Sequence, residues 1–396
     1  MIIVHVITRF IRGGADENTL LTCNGQAELG HRVHLVVGSE SHPDILARLD
    51  PRVELHVMPS LVRAIHPVKD IVALVQCFRL FRRLRPGLVH THESKAGIVG
   101  RWAAWAAGVP GIVHGVHILA FVGSPGLSAF VFRTIEKITA PVTDMFIDVS
   151  EGMRSECLSA GIGRPGNHRV IASGMEIERF RSASAPACWR EVLGPDVSVS
   201  LGGGQEPRFL LMAGALEPRK RVIEFLDVFA LVARRVPGAV LLICGDGFQM
   251  PRLRRRIAEL GLEGRVVPLG FRDDLESLIA LSDVCIHAAE REGLPRVVVQ
   301  FVAGGKPVLV TRLPGIDRVV RDGVNGLYFD PSERDRSALA LADLLDDDQR
   351  RQSMGSASRD VDVGAWDFRA MVEQMEEVYT ELSDAAAPRE HRRRIL

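Results

Sequence analysis

The sequence predicts an α/β fold with two parallel-sheet domains, and three features of the chain support this prediction. Its 396 residues are too many for one ordinary hydrophobic core and suit two domains of about 150 to 200 residues each. Short β-branched segments alternate with segments whose apolar residues recur at helical spacing, which is typical of parallel sheets with crossover helices. This alternation stops near residue 182 and starts again after residue 207. Two doubly wound domains are therefore expected.

The first domain is expected to span residues 1–181. Its predicted strands are residues 2–8, 33–38, 53–57, 88–91, 112–116 and 145–149. Helical spacing of apolar residues predicts helices over 17–29 and 68–84. Residues 182–207 are rich in Ser, Ala, Pro and Gly, so they are predicted to form a linker.

The second domain is expected to span residues 208–364. Its predicted strands are residues 208–213, 239–244, 265–269, 284–288, 307–311 and 326–329. A last segment, residues 365–384, carries apolar side chains on one helical face and is predicted to be an amphipathic helix.

Composition excludes several function classes. Hydrophobic residues make up 46% of the chain and charged residues 25%, as in soluble globular proteins, and the formal net charge of zero gives no indication of a nucleic-acid partner. The six cysteines are widely spaced, with no Cys-x-x-Cys pair, which argues against a disulfide framework and a metal cluster. The apolar N-terminal segment is interpreted as a first strand rather than a signal peptide. These features favour a cytoplasmic protein.

A pair of glycines, Gly13 and Gly14, lies between the first predicted strand and the first helix. Glycine has no side chain, so the backbone amides at such a turn can approach a diphosphate closely. The pair lacks the third glycine of the dinucleotide fingerprint. An ordinary tight turn explains it equally well.

Four histidines lie at the ends of two neighbouring predicted strands: His90, His92, His114 and His117. Doubly wound domains bind their ligands at the carboxyl ends of parallel strands, so these side chains and the nearby Lys95 are candidate ligand contacts. A metal site is the less favoured interpretation because no carboxylate completes a ligand set at a familiar spacing.

Two segments of the second domain carry charged residues at strand ends. Arg219 and Lys220 follow the first strand of this domain, where they suit the negative charge of a departing diphosphate; a solvated surface cluster is the alternative. Glu292 lies in a Gly/Pro turn that leads into a short apolar helix. Backbone amides and a helix N-terminus beside a carboxylate predict a pocket for hydroxyl and phosphate groups.

The segment from Glu292 to Gln300 resembles the donor-sugar loop of retaining glycosyltransferases of family 4, in which two glutamates stand eight residues apart. The resemblance extends from residue 4 to about residue 382. It implies a GT-B fold, in which two Rossmann-like domains face each other across a cleft and the last helix returns to the first domain. It also implies a metal-independent enzyme without a cofactor, which uses a nucleotide sugar and retains the anomeric configuration.

The resemblance also assigns roles to individual residues. It implies that His117, Glu292 and Lys220 are catalytic, that His92 and Lys95 lie on the acceptor side, and that no metal is bound. Contacts to the donor are implied for Gly13, Gly14, Arg219, Lys220, Gly270, Glu292, Gly293, Leu294, Pro295 and Gln300. The chain departs from the family pattern at Ala215, where arginine is usual, at Ile118, where glycine is usual, and at Gln300, where the second glutamate is usual.

The expected function is therefore transfer of a sugar from a nucleotide-linked donor, by family habit a UDP-sugar, to a hydroxyl acceptor. A lipid-linked glycan, a polysaccharide precursor and a natural product all remain open as acceptors. The three departures leave a catalytically weak partner or regulatory subunit as the alternative, and an epimerase or phosphorylase as a third hypothesis. The basic helix around residues 79–85 is typical either of a solvated surface or of peripheral membrane contact.

Overall fold

A computed structural model describes residues 1–11, 13–117, 119, 121, 126–193, 206–292 and 295–386. The chain divides into two compact units. Unit 1 comprises residues 1–175 together with the C-terminal segment that begins at Ala365, and unit 2 comprises residues 176–364. Both units are parallel sheets with helices, which confirms the predicted α/β class. Residues 194–205 of the predicted linker lie outside the described residues.

Unit 1 contains a seven-stranded parallel sheet in the order β3-β2-β1-β4-β5-β6-β7. Its strands are β1 (Ile2–Ile7), β2 (Arg32–Val37), β3 (Glu54–Val57), β4 (Leu88–His92), β5 (Gly111–Val116), β6 (Met145–Asp148) and β7 (His168–Val170). The six strands predicted in this region are confirmed. The prediction missed β7, which has only three residues.

Unit 2 contains a six-stranded parallel sheet in the order β10-β9-β8-β11-β12-β13. Its strands are β8 (Arg208–Ala213), β9 (Ala239–Cys244), β10 (Val266–Gly270), β11 (Val284–His287), β12 (Val308–Val310) and β13 (Gly326–Tyr328). All six were predicted. In both sheets the strand order reverses beside the first strand, and that is where doubly wound sheets bind ligands.

The helices cover both faces of each sheet. In chain order they are α1 (Gly14–Glu28), α2 (Pro43–Leu46), α3 (Pro67–Leu84), α4 (Ser94–Ala107), α5 (Gly126–Thr139), α6 (Glu151–Ser159), α7 (Ile177–Arg181), α8 (Trp189–Leu193), α9 (Val222–Arg235), α10 (Met250–Glu259), α11 (Leu275–Leu281), α12 (Arg296–Ala303), α13 (Arg334–Asp346), α14 (Asp348–Arg359) and α15 (Phe368–Ala386). Among the described helices, none combines the length and apolar character needed to cross a membrane.

The apolar face of α15 packs against the sheet of unit 1. Met371, Val372 and Tyr379 share a buried cluster with Ile3 and Val113 of the two strands β1 and β5. The approach to this helix is fixed by the backbone, since the amide of Met175 donates to the carbonyl of Trp366 at 2.8 Å. The burial of this face explains the helical spacing of apolar residues at the end of the chain.

Candidate active site

The turn after β8 positions two cations of unit 2. Residues Pro218–Lys220 form one turn of 3-10 helix, in which the Lys220 amide donates to the carbonyl of Glu217 at 3.0 Å. The next residue, Arg221, has a left-handed backbone with φ of 53° and directly precedes α9. This tight reversal holds Arg219 and Lys220 at the carboxyl end of the sheet.

Glu292 lies between these two cations. Its Oε1 atom is 2.5 Å from Lys220 Nζ and also accepts a hydrogen bond from Arg219 Nη1. Arg219 is further tied to Glu217, with 2.7 Å between Nε and Oε2. The structure thus brings together the three charged residues that the sequence predicted for the donor site of this unit.

The Glu292 carboxyl stays ionised in this position. Burial by itself raises the pKa of a carboxyl, but the charges of Lys220 and Arg219 and the Lys220 hydrogen bond outweigh burial and hold the pKa of Glu292 below its usual value. Its side chain is 12% exposed, so these interactions are only weakly screened by water. A carboxylate of this kind accepts hydrogen bonds from hydroxyl groups and does not serve as an acid.

His287 is a residue of this site that the sequence did not predict. It ends β11, and its Nε2 atom is 3.7 Å from Glu292 Oε2. Burial, together with the nearby Lys220, lowers the pKa of His287 to about 3, so the ring is neutral. Within the described residues its Nε2 atom has no hydrogen-bond partner. The available signal was a single polar residue at the end of the apolar segment Val284–His287.

Helix α12 begins beside this group. Pro295 caps it with an extended backbone and accepts a hydrogen bond from the Val298 amide at 3.0 Å, so the first amides of the helix lie next to the Glu292 loop. Gln300 lies on the same helix and is 8% exposed. Two further predicted donor contacts, Gly293 and Leu294, fall outside the described residues.

Three loops at this end of the sheet are joined through glycines. The amide of Gly214 donates to Cys244, and the amide of Gly245 donates to Gly270, the predicted donor contact at the end of β10. Gly245 has φ of 147°, and a Cβ atom there would overlap the carbonyl oxygen of Gly214. A Cβ atom on Gly214 would lie 3.8 Å from Lys220 Nζ, so the ammonium group rests directly above this backbone.

Unit 1 places a hydrogen-bonded group of imidazoles at its central strands. His92 Nδ1 is 3.0 Å from His117 Nε2, and His92 Nε2 is 2.9 Å from His5 Nδ1. His5 Nε2 is in turn 2.8 Å from Gln26 Oε1 of α1. His90 lies beside them but bonds through Nδ1 to the hydroxyl of Tyr379 at 2.6 Å.

Two histidines differ from the sequence interpretation because of strand alternation. Side chains of a strand point alternately to its two faces. His114 pairs in register with Thr91 and bonds to its hydroxyl at 2.9 Å, on the face opposite His90 and His92. His5, which the sequence did not single out, pairs in register with His90 and joins the group.

Ligand spacing in this group fits hydrogen bonds better than a metal ion. The ring nitrogens of His5, His90 and His92 lie within 4.8 Å of one another. Two nitrogens bound to one tetrahedral zinc ion at about 2.0 to 2.1 Å are about 3.3 Å apart. The His5 and His92 nitrogens are 2.9 Å apart, which is a hydrogen-bond distance.

The glycine pair lies at the start of α1, which begins at Gly14. A Cβ atom on Gly13 would lie 2.7 Å from Oδ2 of Asp16, so this carboxylate occupies the space that a side chain would need. Asp16 was not predicted. Burial, helped by the nearby Glu93, raises the pKa of Asp16 to about 7.

Lys95, the other predicted acceptor-side residue, is paired within unit 1. Its Nζ atom is 2.6 Å from Oδ1 of Asp70 and also donates to the carbonyl of Ala64. Lys95 thereby ties the start of α4 to α3. Ile118, one of the three departures from the family pattern, falls outside the described residues.

Comparison with known proteins gives matches along most of the chain. The family model described as glycosyl transferase 4-like domain matches residues 13–174, and the one described as glycosyl transferases group 1 matches residues 198–361. A UDP-Gal:alpha-D-GlcNAc-diphosphoundecaprenol alpha-1,3-galactosyltransferase of Escherichia coli is 28% identical over 84% of this chain and 85% of its own length. An N-acetyl-alpha-D-glucosaminyl L-malate synthase of Bacillus anthracis is 22% identical over 89% and 90%.

Solved structures share the fold. HepE from Anabaena, in complex with UDP and glucose, superposes with a TM-score of 0.77 at 20% identity, over 96% of this chain and all of its own. WaaG, a glycosyltransferase involved in lipopolysaccharide biosynthesis, gives a TM-score of 0.72 at 16% identity, over 96% and 99%. The fold of the chain is therefore GT-B.

Proposed function

Because the chain belongs to the group-1 glycosyltransferases, which act with nucleotide sugars, we propose that it transfers a hexose from a UDP-linked donor to a hydroxyl of a lipid-linked glycan. We further propose that transfer retains the anomeric configuration and needs no metal ion. The observation that carries the proposal is the contact of Glu292 with both Lys220 and Arg219 at the carboxyl end of the unit 2 sheet.

This contact suits a donor that brings its own negative charge. A diphosphate that approaches Lys220 and Arg219 replaces the carboxylate as their anionic partner. Glu292 is then left with acceptor oxygens that can bind hydroxyl groups of the sugar. One arrangement of three side chains thus serves both halves of a sugar diphosphate, while the first amides of α12 add a positive partial charge.

The same charges support metal-independent departure of the nucleotide. When the bond between sugar and phosphate oxygen breaks, its electron pair goes to the diphosphate, which gains negative charge. Lys220 is 13% exposed, so its ammonium group acts on that charge with little screening. Lys220, Arg219 and the helix N-terminus supply the field that a divalent ion supplies in other enzymes.

Retention is proposed to follow from the side on which the acceptor attacks. Glu292, which is proposed to bind hydroxyl groups of the sugar, takes no covalent part in this step. Attack by the acceptor hydroxyl on the face that the diphosphate leaves gives retention in one step, with the hydroxyl proton passing to the departing phosphate oxygen. His117, at the carboxyl end of the unit 1 sheet, is proposed as a catalytic residue, and the acceptor is proposed to bind on the side of His92 and Lys95.

Uridine and a lipid-linked acceptor are supported by the relatives. The Escherichia coli relative uses UDP-Gal and a diphosphoundecaprenol-linked sugar, and HepE is solved with UDP-glucose. Helix α3 of unit 1 suits a lipid surface, because Val68 and Ile71 are exposed near its start and Arg79, Arg82 and Arg83 near its end. We propose peripheral contact with anionic membranes through this helix.

The test is a transfer assay with UDP-glucose, UDP-galactose and UDP-N-acetylglucosamine and a polyprenyl-diphosphate-linked sugar as the acceptor. One donor is expected to react, to give an anomer of unchanged configuration by NMR, and to show no increase in rate when Mg²⁺ or Mn²⁺ is added to metal-free buffer. Strict dependence on an added ion contradicts the metal-free site. Donor binding without transfer or hydrolysis favours the catalytically weak partner instead.

Membrane contact has a separate test. The protein is expected to co-sediment with vesicles that contain anionic lipids and to stay in the supernatant with neutral vesicles. Replacing both Arg82 and Arg83 by Glu should abolish sedimentation without changing transfer to a short soluble acceptor. Equal sedimentation of the variant contradicts the role of α3.

A further inference from the structure

A continuous chain of hydrogen bonds runs from α1 to the end of the unit 1 sheet. It starts at Gln26 Oε1 and passes through both ring nitrogens of His5 and both ring nitrogens of His92. It ends at Nε2 of His117, and its three links measure 2.8, 2.9 and 3.0 Å. No link is longer than an ordinary hydrogen bond.

The first member of the chain sets the direction of every later bond. An amide oxygen only accepts, so Nε2 of His5 must carry a proton and donate. In a neutral ring the other nitrogen then accepts, so His92 donates from its own Nε2 to His5 Nδ1. His92 Nδ1 is then an acceptor, and His117 must donate to it from Nε2. A neutral His117 has no proton left for Nδ1.

The surroundings keep the two middle rings neutral and in contact. His5 and His92 are fully buried. Burial lowers the pKa of His5 to about 4 and that of His92 well below its usual value. Gly115 lies across the sheet from His92, and a Cβ atom there would be only 3.1 Å from His92 Nδ1 and from His117 Nε2. Glycine at this position leaves room for the bond between the two rings.

We propose that Gln26, His5 and His92 are positioning residues that fix the tautomer of a neutral His117 ring as Nε2–H. The Nδ1 atom of His117 then carries a lone pair, so a group that forms a hydrogen bond with it must donate. An effect of this tautomer on transfer rests on the proposed function. The tautomer itself does not, and it is measured without a substrate.

The direct test uses the full-length wild-type protein with ¹⁵N-labelled histidine. Long-range ¹H–¹⁵N correlation spectra at pH 7.5, assigned with single histidine variants, distinguish the tautomers of each ring. We expect His5, His92 and His117 all to be protonated at Nε2. Protonation of His117 at Nδ1, rapid exchange between tautomers, or one equivalent of tightly bound zinc on His5 and His92 would overturn the proposal.

Kinetics test whether the relay matters for transfer. His92→Phe removes both bonds at similar size, whereas His92→Asn keeps an acceptor oxygen near the position of Nδ1. We expect the Phe variant to lose at least tenfold in kcat with less than a twofold change in donor KM, and the Asn variant to recover most of that loss. His34→Asn is the matched control, because His34 is also fully buried in unit 1 and bonds to another histidine, His56, at 3.0 Å outside the relay. Its kcat should stay within twofold of wild type.

The two arms fail in different ways. An inactive wild-type protein with the expected tautomers contradicts the proposed function and leaves the relay standing. Wild-type kcat in the folded His92→Phe variant contradicts the relay and leaves the function standing. If that variant does not fold, the spectrum of the wild-type protein still shows whether His117 has the expected tautomer.

Discussion

Replacing Lys220 by Met removes a positive charge at the proposed donor site while it keeps the length of the side chain. Lys220 Nζ already has an anionic partner in Glu292 at 2.5 Å. Binding of a diphosphate therefore exchanges one anion for another, and the change in donor KM upon substitution should be small. The charge that the diphosphate gains during bond breaking has no such offset, so the effect should fall on kcat.

The size of this effect follows from the geometry. A unit charge about 4 Å from the diphosphate, at an effective dielectric constant of about 20, contributes about 4 kcal/mol. About half a charge develops by the transition state, which leaves about 2 kcal/mol, or roughly 30-fold in kcat. Arg219 has a side chain that is 44% exposed, so water screens it more, and Arg219→Gln should cost less than tenfold.

Steady-state kinetics with the reacting UDP-sugar, supported by single-turnover measurements, separate the two parameters. Arg221→Gln is the matched control, because it removes a cation from the same turn. The guanidinium of Arg221 pairs with Asp330 at 3.9 Å. The kcat of this variant should stay within twofold of wild type. Equal losses in kcat and in donor affinity for Lys220→Met, or a loss as large for Arg221→Gln, would refute the role of Lys220 in stabilising the leaving group.

Three further outcomes are expected. Gln300→Glu should lower the donor KM several-fold for a ribose donor but not for its 2′-deoxy analogue, because a carboxylate accepts hydrogen bonds from two hydroxyls more strongly than an amide does. If wild type and variant have identical KM values for both donors, Gln300 does not contact the ribose. The pKa of Asp16 is raised to about 7, so the folded protein keeps a proton that the unfolded chain releases near pH 4. The free energy of unfolding therefore falls as the pH rises from about 4 to about 7. Asp16→Asn should therefore gain about 2 kcal/mol more in free energy of unfolding at pH 8 than at pH 5, and a gain that does not change with pH would contradict this. Glu136→Ala should lower the free energy of unfolding in urea by about 3 kcal/mol, because it leaves the fully buried Arg101 guanidinium, 2.6 Å from Glu136, without its carboxylate. Glu381→Ala, which removes the carboxylate of an exposed pair, should lower it by less than about 1 kcal/mol. Similar losses for both variants would argue against a buried charge.

The architecture was predictable because the apolar pattern of each long strand is local. Buried strands of a parallel sheet are continuous apolar segments, and most of the twelve predicted strands are of this kind; β3, with Glu54 and a largely exposed pattern, is an exception. Strand β7 did not, because His168 and Arg169 make up most of its three residues. His168 is buried there only because Asp148 of β6 bonds to its Nδ1 atom at 2.7 Å, a contact that sequence spacing does not reveal.

The candidate site was predictable to the extent that it follows strand ends. Glu292, Arg219 and Lys220 were predicted as charged residues after strands, and they meet because those strands are neighbours. His5 and Gln26 were not predicted as site residues, because their contacts depend on the register between β1 and β4 and on the packing of α1. His287 was not predicted for a similar reason. A single histidine at the end of a strand indicates a site only when its contact with Glu292 is known.

The contact between Gly214 and Gly245 has a consequence for how such an enzyme changes its sugar. The two loops meet through main-chain atoms, and any Cβ atom at position 245 would force them apart. The backbone at Gly214, above which Lys220 rests, therefore keeps its position when neighbouring side chains are exchanged. Residues that follow β11 carry no such constraint from these glycines. Under the proposed function, sugar preference can therefore diverge in that segment among descendants of one ancestor while the backbone beneath Lys220 is inherited unchanged.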